Sequence, residues 1–169
     1  MGVTGANVVN RLSGVVLAQG GRIEEATAAL RQAARLATAA QALDVLGIIC
    51  NNQANVALIQ HHHEQALALA EQSAALQEQI GPGRGLAISL ATLGQILVRL
   101  GQLERAEQVL HRALQVRSQI QFHEITGAVF DTLAEIALMR GGYESAGDYL
   151  RKAGEAYGGY GAQTSLWYE

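Results

Sequence analysis

Three groups of residues have types that could perform chemistry: a run of histidines at 61–63, the lone Cys50 and a glycine-rich loop at 81–85. Three adjacent histidines at a turn cannot all face one ion, because zinc sites use His at helical spacing or paired Cys elements. The loop has the glycine content of a phosphate loop but lacks its Lys-Ser/Thr ending and a preceding strand. The sequence therefore predicts neither a metal site nor a nucleotide-binding loop.

Cys50 and the isolated histidines are also poor candidates for catalysis. No His or other base partners Cys50 in the sequence, so we interpret it as a small packed hydrophobe rather than a nucleophile. His111 and His123 stand alone, and we interpret them as solvated or partly packed side chains. We predict no catalytic residue, no cofactor and no enzymatic activity.

The composition of the 169 residues restricts the class of protein further. Hydrophobic residues make up 49% and the net charge is −3, which argues against intrinsic disorder. Twelve basic against fifteen acidic residues leave no basic surface for nucleic acid. No apolar run reaches the roughly 18 residues that a membrane helix needs. With a single Cys, these features predict a soluble, cytoplasmic protein that contacts neither nucleic acid through this segment nor a membrane.

The elements that position these residues follow from an internal repeat. Four segments align at a constant spacing of 40 residues, namely 21–26, 61–66, 101–106 and 141–146. The aligned columns include Glu24, Glu64, Glu104 and Glu144; Ala26, Ala66, Ala106 and Ala146; and the small residues Gly14, Ala54, Gly94 and Ala134. A fixed period of this length over four copies is typical of a helical repeat protein.

Each copy reads as a helix A, a tight turn and a helix B. Apolar residues recur at helical spacing on both sides of each turn, and the turn residue is Gly in three copies and His61 in the other. Gly supplies a left-handed backbone at low cost. Helix A is predicted at 3–19, 43–60, 84–100 and 123–140, and helix B at 22–40, 63–80, 103–120 and 143–157.

The pattern resembles the tetratricopeptide repeat family, and the resemblance covers about residues 7–160. The third copy carries the resemblance best, through Leu93, Gly94, Gly101, Ala106, Leu110 and Ala113. The period of 40 is similar to the long form in kinesin light chains and bacterial signalling and transcription regulators. The resemblance implies an all-α solenoid of four helix-turn-helix repeats in a right-handed superhelix. We expect one domain over 1–169, with repeats at about 3–42, 43–82, 83–122 and 123–160 and a partial fifth helix or cap at 162–169.

The resemblance also implies a binding groove, because helix A lines the concave face in this family. The polar residues at those positions are Arg11, Asn51, Asn55, Gln95, Arg99, Asp131 and Glu135. The implied function is a non-catalytic module that presents this groove to a protein or peptide partner. An alternative is that the apolar groups at the same positions mainly pack between adjacent copies. A second alternative is a sensor in which a signalling peptide or small ligand occupies the groove.

The C-terminal end differs from the rest of the chain because all the aromatic residues lie at or after residue 122. We predict that Tyr157, Tyr160, Trp167 and Tyr168 cluster on the outer face of the last helix pair. Either a second copy covers them in a homodimer, or the final segment folds back as an internal cap. The abrupt end and the single Lys among twelve basic residues favour a piece of a larger bacterial regulatory protein.

Overall fold

The computed structural model describes residues 21–120 and 123–165 of the chain. Within them the structure has seven helices and no strand, which confirms the predicted all-α class. The helices are α1 (Ile23–Ala39), α2 (Leu43–Ile59), α3 (His63–Ile80), α4 (Arg84–Arg99), α5 (Leu103–Ile120), α6 (Thr126–Met139) and α7 (Tyr143–Ser165). The helix predicted at 3–19 lies outside the described residues.

Most of these bounds agree with the 40-residue register to within three residues, but the last helix does not. We predicted that it ends near residue 157 and that a partial helix or cap occupies 162–169. The structure instead continues α7 through Ser165, so residues 162–165 belong to the same helix. A glycine lowers helix propensity by about 1 kcal/mol without removing a backbone hydrogen bond, so the glycines after residue 157 weaken the helix without ending it. Residues 166–169 lie outside the described residues.

The turn between helix A and helix B has one backbone geometry in the three copies of which the structure describes both helices. His61, Gly101 and Gly141 all have positive φ, at 60°, 71° and 76°. The next amide reaches back five residues in each, as from Gln102 N to Leu97 O at 2.9 Å. This left-handed C-terminal motif satisfies carbonyls that the end of a helix would otherwise leave unpaired.

The first unit, which ends at Gly81, contains α1, α2 and α3. Its helices meet through small and aliphatic side chains, and its buried cluster comprises Leu30, Ala33, Ala37, Ala42, Val45, Ile49 and Val56. Two polar side chains of α3 also bond to the backbone of α2. Ser73 Oγ donates to Gly47 O at 2.7 Å, and Gln77 Nε2 donates to Asp44 O at 2.9 Å.

The second unit, from Pro82 onward, contains α4 to α7. α4 packs against α5 and α6, and α7 packs against α6. The close approach of α4 and α5 depends on Gly94, because a Cβ there would lie 2.5 Å from Leu110 Cδ2. The alanine columns predicted for helix B are buried in this unit, with exposures of 0% for Ala106 and 2% for Ala153.

Candidate partner-binding surfaces

The groove residues predicted in the first unit are less accessible than the sequence suggested. Asn51 on α2 is only 6% exposed, and its Oδ1 has no hydrogen-bond partner among the described residues. α2 is enclosed because both α1 and α3 pack against it. Asn51 is therefore a buried residue, whereas Asn55 is half-buried and still reaches the surface. Arg11 lies outside the described residues.

The second unit brings several predicted groove residues together on α4 and α6. Arg99 Nη1 donates to Glu135 Oε1 at 3.2 Å, and the two side chains are 58% and 41% exposed. Gln95 on α4 is half-buried, and Asp131 on α6 is exposed. Exposed ion pairs of this kind contribute about 0–1 kcal/mol, so a partner can displace the pair at low cost.

Asp131 also holds Tyr157 of α7. The Tyr157 hydroxyl donates to Asp131 Oδ2 at 2.6 Å. This hydrogen bond, with burial and the carboxylate charge as smaller causes, raises the pKa of Tyr157 to about 12. Tyr157 therefore lies against α6 of its own chain, while 52% of the residue stays exposed. The side chain of Tyr160, and Trp167 and Tyr168, lie outside the described side chains, so the predicted aromatic cluster stays a prediction.

Gly127 makes the position of Tyr157 possible, and the sequence interpretation missed it. A Cβ on Gly127 would lie 2.4 Å from Cε1 of the Tyr157 ring. The 40-residue register carried a signal for this contact. The positions Gly47, Ala87 and Gly127 are all small, whereas helix B places the longer Gln77 and Tyr157 opposite the two glycines.

The apolar residues at the predicted groove positions of helix A include a buried set and an exposed set, and Leu58, Ile88 and Ala128 between them are half-buried. Ala91 and Val98 on α4 are buried, at 7% and 3%, so they contribute to helix packing and not to an accessible surface. The other set is exposed by 43% to 55%: Ile48 and Ile59 on α2, and Leu138 and Met139 on α6. An exposed large hydrophobic side chain marks a surface for contact only when it is grouped with others. Leu138 and Met139 are adjacent in the sequence and meet this condition, whereas Ile48 and Ile59 lie eleven residues apart on α2.

The structure describes the environment of Cys50 and of two of the histidines that could have supplied chemistry. Cys50 is buried, and this burial raises the pKa of its thiol, which disfavours the reactive thiolate. His61 and His63 meet edge to face, with ring centroids 6.0 Å apart. In the described part of the chain, no group of three His, Cys, Asp or Glu residues is placed to hold a metal. No helix among the same residues is both long and apolar enough to cross a membrane.

The model of the tetratricopeptide repeat matches residues 46–119 and 85–158, so it covers more than half of the chain. The chain belongs to the tetratricopeptide repeat family. Repeats of this family form protein–protein interaction scaffolds, and the family is typically non-catalytic.

Among solved structures, BtubC (BKLC) from P. vanneervenii is similar in fold, with a TM-score of 0.74. The identity is 15% over 92% of this chain, which spans 64% of the length of that one. No curated protein matches the sequence. The likeness in structure confirms the all-α, tetratricopeptide-like solenoid class, and the right-handed superhelix stays a prediction.

Proposed function

We propose that the chain binds a protein or peptide segment on the A-helix face of the second unit, as an interaction module of a larger bacterial regulatory protein. We define this face by six residues of α4 and α6: Gln95, Arg99, Asp131, Glu135, Leu138 and Met139. The observation that carries the proposal is the exposure of Leu138 and Met139 beside an accessible ion pair. Apolar anchors surrounded by replaceable polar contacts are the usual basis of peptide recognition.

The charges on this face indicate what kind of segment would fit. Arg99 contributes one positive charge, whereas Asp131 and Glu135 contribute two negative charges. A segment with apolar side chains for Leu138 and Met139 and a basic side chain for the carboxylates would complement both features. Gln95 adds an amide that can donate to and accept from a peptide backbone.

A selection experiment tests this proposal with the intact chain. Peptides would be selected from a displayed random library, and the dissociation constant of the best one would be measured by calorimetry. We expect Met139→Ala to weaken binding about tenfold, which corresponds to roughly 1.4 kcal/mol. We expect the double variant Arg99→Ala with Glu135→Ala to weaken it as well, without leaving either charge unpaired.

Two matched variants control for general effects. Ile80→Ala removes an apolar side chain of comparable exposure from α3, at 52% against 55% for Met139. Arg22→Ala with Glu25→Ala removes an exposed ion pair at the start of α1. Both should bind the selected peptide as tightly as the wild type. The proposal fails if no peptide is selected, or if the variants on the face bind as well as these controls.

A further inference from the structure

One face of α7 carries an alternation of large residues and glycines. The α7 stripe consists of Tyr143, Gly147, Leu150, Gly154 and Tyr157, at alternating spacings of four and three residues. This spacing places all five on one side of a helix. The large members are well exposed, at 77% for Tyr143 and 52% for both Leu150 and Tyr157. The neighbouring side packs against α6 and carries the buried Ala146 and Ala153. Tyr157 lies at the border of the two sides, because its hydroxyl bonds to Asp131 of α6 while half of the residue stays exposed.

The two glycines of the stripe have no explanation inside their own unit. A Cβ on Gly147 or Gly154 would meet no atom within 4 Å, unlike one on Gly127 or Gly94. Glycine inside a helix costs about 1 kcal/mol relative to alanine. The stripe therefore combines a cost in helix stability with a row of exposed apolar side chains. Close approach of another helix would account for both.

The third repeat shows how the same face is used when a following repeat covers it. There α5 packs against α6, and Glu107 of α5 pairs with Arg140 at the end of α6 at 2.7 Å. In α7 the positions of Glu107 and Leu114 hold Gly147 and Gly154. The stripe thus continues the face that α6 covers in the third repeat, but it lacks the carboxylate that pairs with Arg140 there. The two glycines leave room on the stripe, so it fits a helix that carries bulky side chains opposite them.

We propose that this helix is α7 of a second copy, packed antiparallel across a two-fold axis at the level of residue 152. Reversing the stripe then places every large residue opposite a glycine. Leu150 lies over Gly154 of the second copy, Tyr157 over its Gly147, and Tyr143 over its Gly161. Glycines at the contact bring the helix axes to the short end of the usual range of about 8–10 Å.

The charges beside the stripe are compatible with this arrangement. Arg151 bonds to Glu155 at 2.9 Å and to Asp148 at 3.5 Å on one flank of the stripe. The two-fold axis sets Arg151 level with residue 153 of the second copy, within one helical turn of its Glu155. Each Arg151 then faces an acid on both copies, which offsets part of the repulsion between the acidic flanks.

The size of the contact sets its strength. With about 200 Å² for a tyrosine, the exposed parts of Tyr143 and Tyr157 provide roughly 250 Å² for each copy. Standard stable interfaces bury about 800 Å² for each partner, so this contact lies at the weak end. The dimer should therefore depend on concentration, with the fraction of dimer rising across about 5 to 500 µM by mass action.

Sedimentation equilibrium on the full chain over that range tests the contact. We expect the average mass of the wild type to rise from one chain towards two. Leu150→Glu should stay monomeric because it buries a charge over Gly154. Ile80→Glu is the control, because Ile80 has the same 52% exposure on α3, and its mass should rise like that of the wild type. A wild type that is monomeric throughout, or a Leu150→Glu variant that dimerises, would overturn the proposal.

Exchanging the large and the small residue at positions 150 and 154 tests which residues face each other in the dimer. Gly154→Leu should raise the melting temperature of the monomer, because leucine favours a helix, and yet abolish the dimer. The double variant Leu150→Gly with Gly154→Leu places a leucine over a glycine again and should recover dimerisation. If Gly154→Leu dimerises like the wild type, or if the folded double variant stays monomeric, the antiparallel pairing is wrong. Peptide binding on the A-helix face should be the same in all these variants, so the two proposals are tested separately.

Discussion

The second and third repeats share one register and one turn geometry but reach them with different residues. His61 and Gly101 occupy the same turn position, with φ of 60° and 71°. The amide after each bonds to the carbonyl five residues earlier at 2.9 Å, from His62 N in one and Gln102 N in the other. Because the backbone is the same with either residue, the packing of the two helices determines the turn. The glycine lowers its cost.

The crossing of helix A and helix B shows a second difference between the repeats. The third repeat pairs Gly94 with Leu110, and a Cβ on the glycine would clash with the leucine. The second repeat has Ala54 and Ala70 at the equivalent positions, and both are 0% exposed. Close-packed interiors leave no spare volume, so a larger residue on one helix requires a smaller one on the other. The two repeats thus keep the combined size of the two residues at the crossing, although each residue differs in type.

The largest test of this comparison converts the third repeat into the second. Leu110→Ala should reduce the free energy of unfolding by about 2–5 kcal/mol, because it empties a fully buried site. Adding Gly94→Ala should then restore stability, since the new methyl group fills part of the cavity and favours the helix. Urea unfolding of the two variants measures both steps.

The effect of Gly94→Ala on stability should change sign between the wild type and the Leu110→Ala variant, and this is the most specific test of the pair. In the wild-type background Gly94→Ala should destabilise, because overpacking a buried contact costs about 1–3 kcal/mol and exceeds the gain of roughly 1 kcal/mol from helix propensity. In the Leu110→Ala background the same change should stabilise. Equal effects in the two backgrounds would show that the two positions do not share the crossing.

The turn provides the next largest effect. Gly101→Ala should lower the free energy of unfolding by about 1 kcal/mol, because a left-handed backbone disfavours a Cβ. No neighbour lies within 4 Å of that Cβ, so the loss would come from φ alone. His61→Gly should raise stability by a similar or smaller amount in the second repeat. His62→Gly is the control, because His62 has φ of −86° and gains nothing from glycine.

Much of the fold could be predicted from the register, because small residues and helical spacing recur at every copy. The helix predicted at 84–100 forms over Arg84–Arg99, for example. The candidate site was less predictable, because burial depends on neighbouring helices and not on spacing along one. Asn51 has the same position in helix A as Asp131, yet only Asp131 is exposed. The hydrogen bond of Tyr157 to Asp131 joins two residues 26 positions apart, and the register indicates only the small residue Gly127 beside the ring, not this bond.

A buried hydroxyl makes a smaller difference between the repeats. Ser73 in the second repeat stands where the third has Ala113, and it donates to Gly47 O at 2.7 Å. Ser73→Ala should lower the free energy of unfolding by about 0.5–1.5 kcal/mol, the net value of a typical hydrogen bond. Ser118→Ala is the matched control, since Ser118 makes a bond of 2.7 Å to Gln115 O in solvent. If both variants lose the same stability, burial does not strengthen the Ser73 bond.

The smallest effect at neutral pH concerns the fourth repeat, where Tyr157 takes the position of Gln77. Its pKa is raised from 10.0 to about 12, so the folded state holds this proton more tightly than the unfolded chain does. The stabilisation is complete below pH 10 and is lost as the pH rises from 10 towards 12. Spectroscopic titration of tyrosinate in the wild type should therefore show the late titration of Tyr157. Asp131→Asn should lower the pKa of Tyr157 towards 10.0 without changing stability near pH 7 by more than about 0.5 kcal/mol, as for other exposed sites. A late tyrosine that persists in Asp131→Asn would mean that burial, and not the carboxylate, governs the titration of Tyr157.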